Sequence, residues 1–257
     1  MLKKSTIFAA IMLASTSTAH ADLFDISAGL NLWNNNMNVR ARYNGNFDSY
    51  NDKKEITPVI WAKIEHKVPV LPNFKLRYTN IEHSAKTIIT GYLRIDDTTY
   101  NEHTAVKITP KLSHFDVTPY YNAVNNDAMS LGFGLNVKIA DFKYQTTDGT
   151  SPSELDLEDN IVVLPYICTE IKLPFDISIK GDAAGVNLVS NNFLFYDTEI
   201  ALAWKMFDIA DVGTSIEAGY RYIYTSYRKN YGPYFYSSET HIKYKSEGVF
   251  AGISVNY

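Results

Sequence analysis

The chain has 257 residues, a formal net charge of −4, 14% aromatic residues and one cysteine. A mildly acidic chain is a poor match for nucleic acid, and a lone Cys168 excludes a disulfide framework. The length suits one β-barrel or one two-sheet domain.

The first residues read as an export signal: Met1-Leu-Lys-Lys4 is a charged start, residues 7–14 an apolar run, and Ala19-His-Ala21 a small-residue cleavage site. Cleavage between Ala21 and Asp22 makes 1–21 a Sec-type signal peptide and 22–257 the mature chain. Loss of Lys3 and Lys4 with no acid takes the net charge from −4 to −6. The apolar run is too short for a membrane helix, and no later segment is apolar enough for one. No cysteine follows the site, which argues against a lipoprotein.

From Asp22 the sequence alternates with a period of two, in stretches of about the 9–11 residues that cross a membrane as a strand. In the first, Phe24, Ile26, Ala28, Leu30 and Leu32 share one face. Residues 34–55, with an Asn44-Gly45 pair, read as a long polar loop. A second strand near 56–67 ends at two prolines that force a tight turn, and a third begins at Phe74. The Thr-rich stretch 81–111 reads as strands three and four continuing beyond the membrane, joined near Asp96-Asp97. Strand four returns through Phe115, Val117 and Tyr121; strand five alternates from Met129 to Ile139. After a loop over 146–159, strands six and seven (near 160–172 and 177–188) meet at a turn over 173–176. Strand eight follows Asn191-Asn192 with Leu194, Tyr196, Ile200, Leu202 and Trp204 on one face, and a turn over 206–211 leads to strand nine. There Tyr220, Tyr222 and Tyr224 form an outward row suited to an aromatic girdle. An aromatic loop over 227–238, carrying Tyr234, Phe235 and Tyr236, leads to strand ten.

Strand ten, Gly248-Val-Phe-Ala-Gly-Ile-Ser-Val-Asn-Tyr257, sets Val249, Ala251, Ile253, Val255 and Tyr257 on one face and Phe250, Gly252, Ser254 and Asn256 on the other. Phe250, Val255 and Tyr257 are the expected assembly signal. The whole reads as an all-β, closed, antiparallel up-and-down transmembrane barrel of ten strands, with eight or twelve open if 81–111 is misread. Short turns alternate with longer loops, as they do in barrels with short periplasmic turns; a soluble β-sandwich is the alternative.

Parity points Asp25, Glu65, Asp116, Glu170, Glu199 and Glu217 inward, together with Lys63, Lys75, Arg77, Lys138, Lys180 and Arg221. In a barrel of this size such side chains meet near the axis and are tolerable only when paired. The expectation is a charge-plugged lumen, with a gated path or narrow, porin-like channel as the alternative. A rim hydrolase is the weaker alternative. His83 stands beside Glu82 and Ser84, and His103 shares a loop with Asp96 and Asp97, but sequence neighbours on a strand point to opposite faces. No metal-ligand spacing and no cofactor signature is present.

The segment Ile64-Glu-His-Lys-Val-Pro-Val-Leu-Pro-Asn-Phe-Lys-Leu-Arg-Tyr-Thr79 resembles the hallmark hairpin of a family of small, functionally uncharacterised proteobacterial outer-membrane β-barrel proteins. Residues 112–121, Leu135-Asn-Val-Lys138, Glu217-Ala-Gly-Tyr-Arg221 and the closing strand fit the same pattern, although Pro119 replaces an ordinary strand residue. The resemblance implies location and fold in a Gram-negative outer membrane, and no activity. Its expected partners are outer-membrane lipid and, during biogenesis, periplasmic chaperones and the barrel-assembly machinery; the barrel is expected to be a monomer and not an enzyme.

Overall fold

The computed structural model describes residues 24–43, 46–51, 54–68, 70–91, 93–95, 98–156, 161–188, 193–209, 212–231 and 238–257. The signal peptide and its Ala21/Asp22 site, Asn44-Gly45, Asp96-Asp97, Asn191-Asn192 and the loop aromatics Tyr234, Phe235 and Tyr236 lie outside them. Every regular element among the described residues is a strand. They are β1 (Phe24–Tyr43), β2 (Asn46–Asn51), β3 (Glu55–His66), β4 (Asn73–Thr79), β5 (Ala85–Ile88), β6 (Leu93–Ile95), β7 (Thr98–Tyr100) and β8 (Ala105–Asn125). There follow β9 (Met129–Thr147), β10 (Pro152–Asp156), β11 (Ile161–Leu173), β12 (Ile177–Leu188), β13 (Phe193–Ile209), β14 (Val212–Tyr231) and β15 (Ser238–Asn256).

Ten of these close a ring of antiparallel neighbours: β1, β3, β4, β8, β9, β11, β12, β13, β14 and β15, the last paired again with β1. At the seam Leu30 faces Ile253 and Ala28 faces Val255, while Ile26 and Tyr257 exchange backbone bonds of 2.9 and 2.8 Å. Closure leaves the ring without an edge, the condition for a sheet to stand in lipid. Its outer wall is apolar: Leu30, Ile60, Leu76, Phe133, Ile200, Trp204 and Ile253 are all exposed. Such a belt with a polar lumen is the layout of a membrane barrel.

The turn end is trimmed. At 174–176 the chain reverses with φ of 67° at Phe175 and 57° at Asp176, the paired positive angles of a twist-matched hairpin turn. The Asn126 side chain accepts from the amides of Ala128 and Met129 at 3.0 and 2.9 Å, closing the β8–β9 turn. At the loop end the strands overrun the belt, since β1, β8 and β14 have 20, 21 and 20 residues. This corrects the polar-loop reading of 34–55: β1 runs on to Tyr43 and turns back as β2. Above lipid the outer face has no need of apolar residues, so Asn34, Asn36, Asn38 and Arg40 alternate with buried Trp33, Met37 and Val39. The aromatic loop and the 206–211 turn shrink likewise, because β14 reaches Tyr231 and β13 reaches Ile209.

The connection between β4 and β8 is not the plain strand extension expected. Only β5 pairs with β8, while β6 and β7 form a separate hairpin. Ile81, Ile89, Ile95 and Tyr100 are at most 2% exposed and pack with Val106, Leu112, Phe142 and Tyr144. The Tyr100 hydroxyl donates to the carbonyl of Ser151 at 2.7 Å, tying this cap to the β9–β10 turn. In that turn Asp148 accepts from the Ser151 and Thr150 amides, which holds its carboxyl below the usual range. The turn is therefore tight at neutral pH and loosens as pH falls through that lowered value. Ile89→Val should cost the barrel about 0.5–1.5 kcal/mol, read from the urea unfolding midpoint, through the small cavity it leaves under the cap.

Candidate functional site

The lumen has three levels, and strand parity sorts side chains into them. Next to the cap lies the apolar layer just described. Below it, buried charges meet across the bore. Arg221 on β14 grips Asp197 on β13 in a fork, Nε to Oδ1 at 3.0 Å and Nη2 to Oδ2 at 2.8 Å. Lys138 on β9 donates to Asp116 on β8 at 2.6 Å and reaches Asp197 at 3.3 Å. Arg77 on β4 meets Asp182 on β12 at 2.9 Å and Glu199 at 3.6 Å, and Lys75 pairs with the same Asp182. Tyr166 donates to Asp182 at 2.5 Å. Arg221 also donates to Thr79 at 3.0 Å and lies 5.2 Å from the Trp33 ring, while Lys138 lies 5.2 Å from that of Phe195. Bidentate pairing and cation–π contact are what make buried guanidinium tolerable.

Small residues make room for this layer. A Cβ at Gly134 would lie 2.2 Å from the Pro119 carbonyl and 2.6 Å from Tyr120 Cβ, so only glycine admits the close β8–β9 approach there.

At the turn end the bore opens into a blind vestibule of about 620 Å³, lined by Asp25, Trp61, Lys63, Glu65, Glu170 and Lys180 among others. Lys63 pairs with Glu65 at 2.8 Å, and Glu65 also accepts from Tyr120 at 2.8 Å. Lys180 pairs with Glu217 at 2.7 Å.

Every inward charge named from the sequence faces the lumen, but in two levels. Lys75, Arg77, Asp116, Lys138, Glu199 and Arg221 belong to the middle layer, whereas Asp25, Lys63, Glu65, Glu170, Lys180 and Glu217 stand lower. Three members were missed: His114, Asp182 and Asp197. With the two aspartates the named lumen acids number eight against six named bases, and Lys172 and Lys205 line the vestibule as well. Phe250 is buried at 4% exposure on the inner face and Val255 is exposed outside, so the assembly residues divide between the two faces. Of the candidate rim histidines, His83 is buried at 1% and His103 stands on an exposed turn beside Glu102; they form no common site.

His114, Asp116 and Asp197 offer ligand atoms within 4.8 Å of one another. Lys138 and Arg221 already supply the cations to this group, with the Arg221 Nη2 3.4 Å from His114 Nε2. A metal ion would have to displace an ammonium paired at 2.6 Å, so the residues fit a structural ion network and not a metal centre.

No protein-family model and no curated protein matches the chain. Among solved structures it is similar to the outer-membrane protease OmpT of Escherichia coli, at 7% identity and a TM-score of 0.48, over 95% of this chain and 99% of that one. It is also similar to the toluene transporter TodX of Pseudomonas putida, at 8% identity and 0.36 over 91% and 89%. A FadL homologue of Pseudomonas aeruginosa gives 8% and 0.33 over 92% and 90%. These likenesses are distant, and the closed antiparallel barrel stands on the chain's own pairing of β1 with β15.

Proposed function

We propose that this protein is an integral barrel of the outer membrane with a closed lumen, serving a structural or surface-interaction role through its loop end. The observation that carries this is the double seal: an ionic layer bonded across the bore, with an apolar cap packed above it. In this orientation the short turns and the vestibule face the periplasm and β2, β5–β7 and β10 face outward. A Sec-type signal, insertion as a monomer and assistance from chaperones and the assembly machinery belong to the same reading. No catalytic role is assigned. A hydrolytic activity abolished by His83→Ala or His103→Ala would overturn that part.

The second reading, a narrow channel, draws support from the vestibule, which opens the turn end of the bore as far as Trp61, Lys63 and Lys180. Planar-bilayer recording separates the two. Pure wild-type protein is expected to insert without discrete conductance steps; reproducible steps would sink the closed-lumen reading.

A further inference from the structure

The vestibule at the turn end has features that a plug does not need. Its floor is Trp61 on β3, seated by a residue that has no side chain. A Cβ on Gly29 would lie 2.5, 2.6 and 2.7 Å from three atoms of the indole, so the ring lies flat against the β1 backbone. The opposite face turns to the bore, where Lys75 and Lys180 stand 5.8 and 6.0 Å from the ring centre. Phe24, the other lining aromatic, stands edge-on to His66 at 6.0 Å.

The charges around this floor are matched. Lys63, Lys67, Lys172, Lys180 and Lys205 line the cavity against Asp25, Glu65, Glu170 and Asp176. Glu217 and Asp208 stand behind two of these lysines, bonded to Lys180 at 2.7 Å and to Lys205 at 2.5 Å. The lining histidine, His66, is taken up by its own turn, with Nε2 3.1 Å from the Pro72 carbonyl and Nδ1 accepting from the Val68 amide at 3.2 Å. Lysines and carboxylates thus balance, and the site favours neither a net anion nor a net cation. Two of the pairs are also held from behind. Glu65, the partner of Lys63, accepts from Tyr120 and Asn122 at 2.8 and 3.2 Å, and Glu217 accepts from Ser254 at 3.0 Å. Glu170 closes no ion pair among the described residues. Between the charges the wall carries hydroxyls and amides from Ser27, Ser130, Ser178, Ser215, Asn125 and Asn256. Polar groups fixed in advance cost least to bind with.

A cavity of about 620 Å³ is of ligand size. An aromatic face set among hydroxyls, amides and balanced charges complements a pyranose, which shows C–H bonds on one face and hydroxyls around its edge. We propose that the vestibule binds a short neutral saccharide of about two or three rings, one of them stacked on Trp61 with Glu170 accepting from its hydroxyls. The site goes beyond the closed-lumen reading, and only the periplasmic access of its mouth rests on the outer-membrane assignment.

Titration calorimetry in an amine-oxide detergent, which carries no sugar headgroup, tests the site without a membrane. The probes are maltotriose, cellotriose and tri-N-acetylchitotriose. Wild-type protein should bind at least one of them saturably below about 10 mM, and equally at about 0.05 and 0.5 M salt, since a neutral ligand has no charge to screen. Trp61→Leu should weaken that binding about tenfold, and Trp61→Phe should recover most of it. Gly29→Ala, which lifts the indole off its bed, should weaken binding with the tryptophan still present. Glu170→Ala should cost about fivefold, and it carries the test alone should the Trp61 variants fail to show heat-modifiable migration. No saturable binding of any probe, or binding unchanged in a folded Trp61→Leu or in Glu170→Ala, overturns the site. Binding that collapses with salt, or glycylglycine held more tightly than any of the sugars, overturns the saccharide in favour of a charged ligand. None of these outcomes depends on whether the lumen conducts, so failure of the site and failure of the closed-lumen reading are told apart.

Discussion

Asp197→Ala should destabilise the inserted barrel by about 3–5 kcal/mol, the cost of stranding buried charge by removing its partner. One carboxylate serves two cations, the Arg221 fork at 2.8 and 3.0 Å and Lys138 at 3.3 Å. Both cations are at most 1% exposed, so water cannot take the place of the lost oxygens. Lys138 keeps Asp116, but Arg221 is left with Thr79, a half-empty fork, and Glu199 at 3.9 Å. The measurement is urea unfolding in detergent or vesicles, followed by loss of heat-modifiability. Glu199→Gln is the comparison, since its carboxylate makes only contacts of 3.6 and 3.9 Å. A midpoint for Asp197→Ala no lower than that of Glu199→Gln would show that the layer relaxes around the gap.

Removal of Tyr257 should reduce the yield of inserted barrel by about tenfold or more, further than any single lumen substitution. Its backbone makes both bonds to Ile26, at 2.9 and 2.8 Å, at the foot of the seam. Two bonds at about 0.5–1.5 kcal/mol each, in a place where lipid offers no substitute, account for that factor. The aromatic ring adds an interface anchor. Lumen substitutions act on the barrel once it has formed, whereas Tyr257 acts on closure itself. Pulse-labelled insertion into vesicles reads the difference, and normal insertion of the truncated chain refutes the assignment.

Strand parity made most of the barrel legible. The alternation from Met129 to Ile139 and from Gly248 to Tyr257 marks which side chains see lipid, and Lys138 and Arg221 follow from it. The same rule reaches Asp197, two residues before Glu199 on β13. The apolar partners Leu194 and Tyr196 drew notice to the other face of that strand. Asp182 is harder, because Gly181-Asp182-Ala183-Ala184-Gly185 is a run of small residues with no apolar rhythm to count against. His114 pointed inward by the same parity that set Phe115 outward, but its role depends on cations from three other strands. The cap was not legible. Ile81, Ile89, Ile95 and Tyr100 recur at no fixed spacing, since an irregular chain packing into a mouth has no period. The resemblance carried by 64–79 implied location and fold and said nothing of the cap or of the ionic layer.

The vestibule changes where an electrical potential would fall. Its walls are charged and it opens at one end, so solvent entering it carries the potential of the turn-end solution to Lys63 and Lys180, below the ionic layer. Any voltage across the membrane then drops over the shorter stretch between that layer and the cap, where the dielectric is low. The field is concentrated on Lys138, Asp197 and Arg221, the groups held most tightly in place.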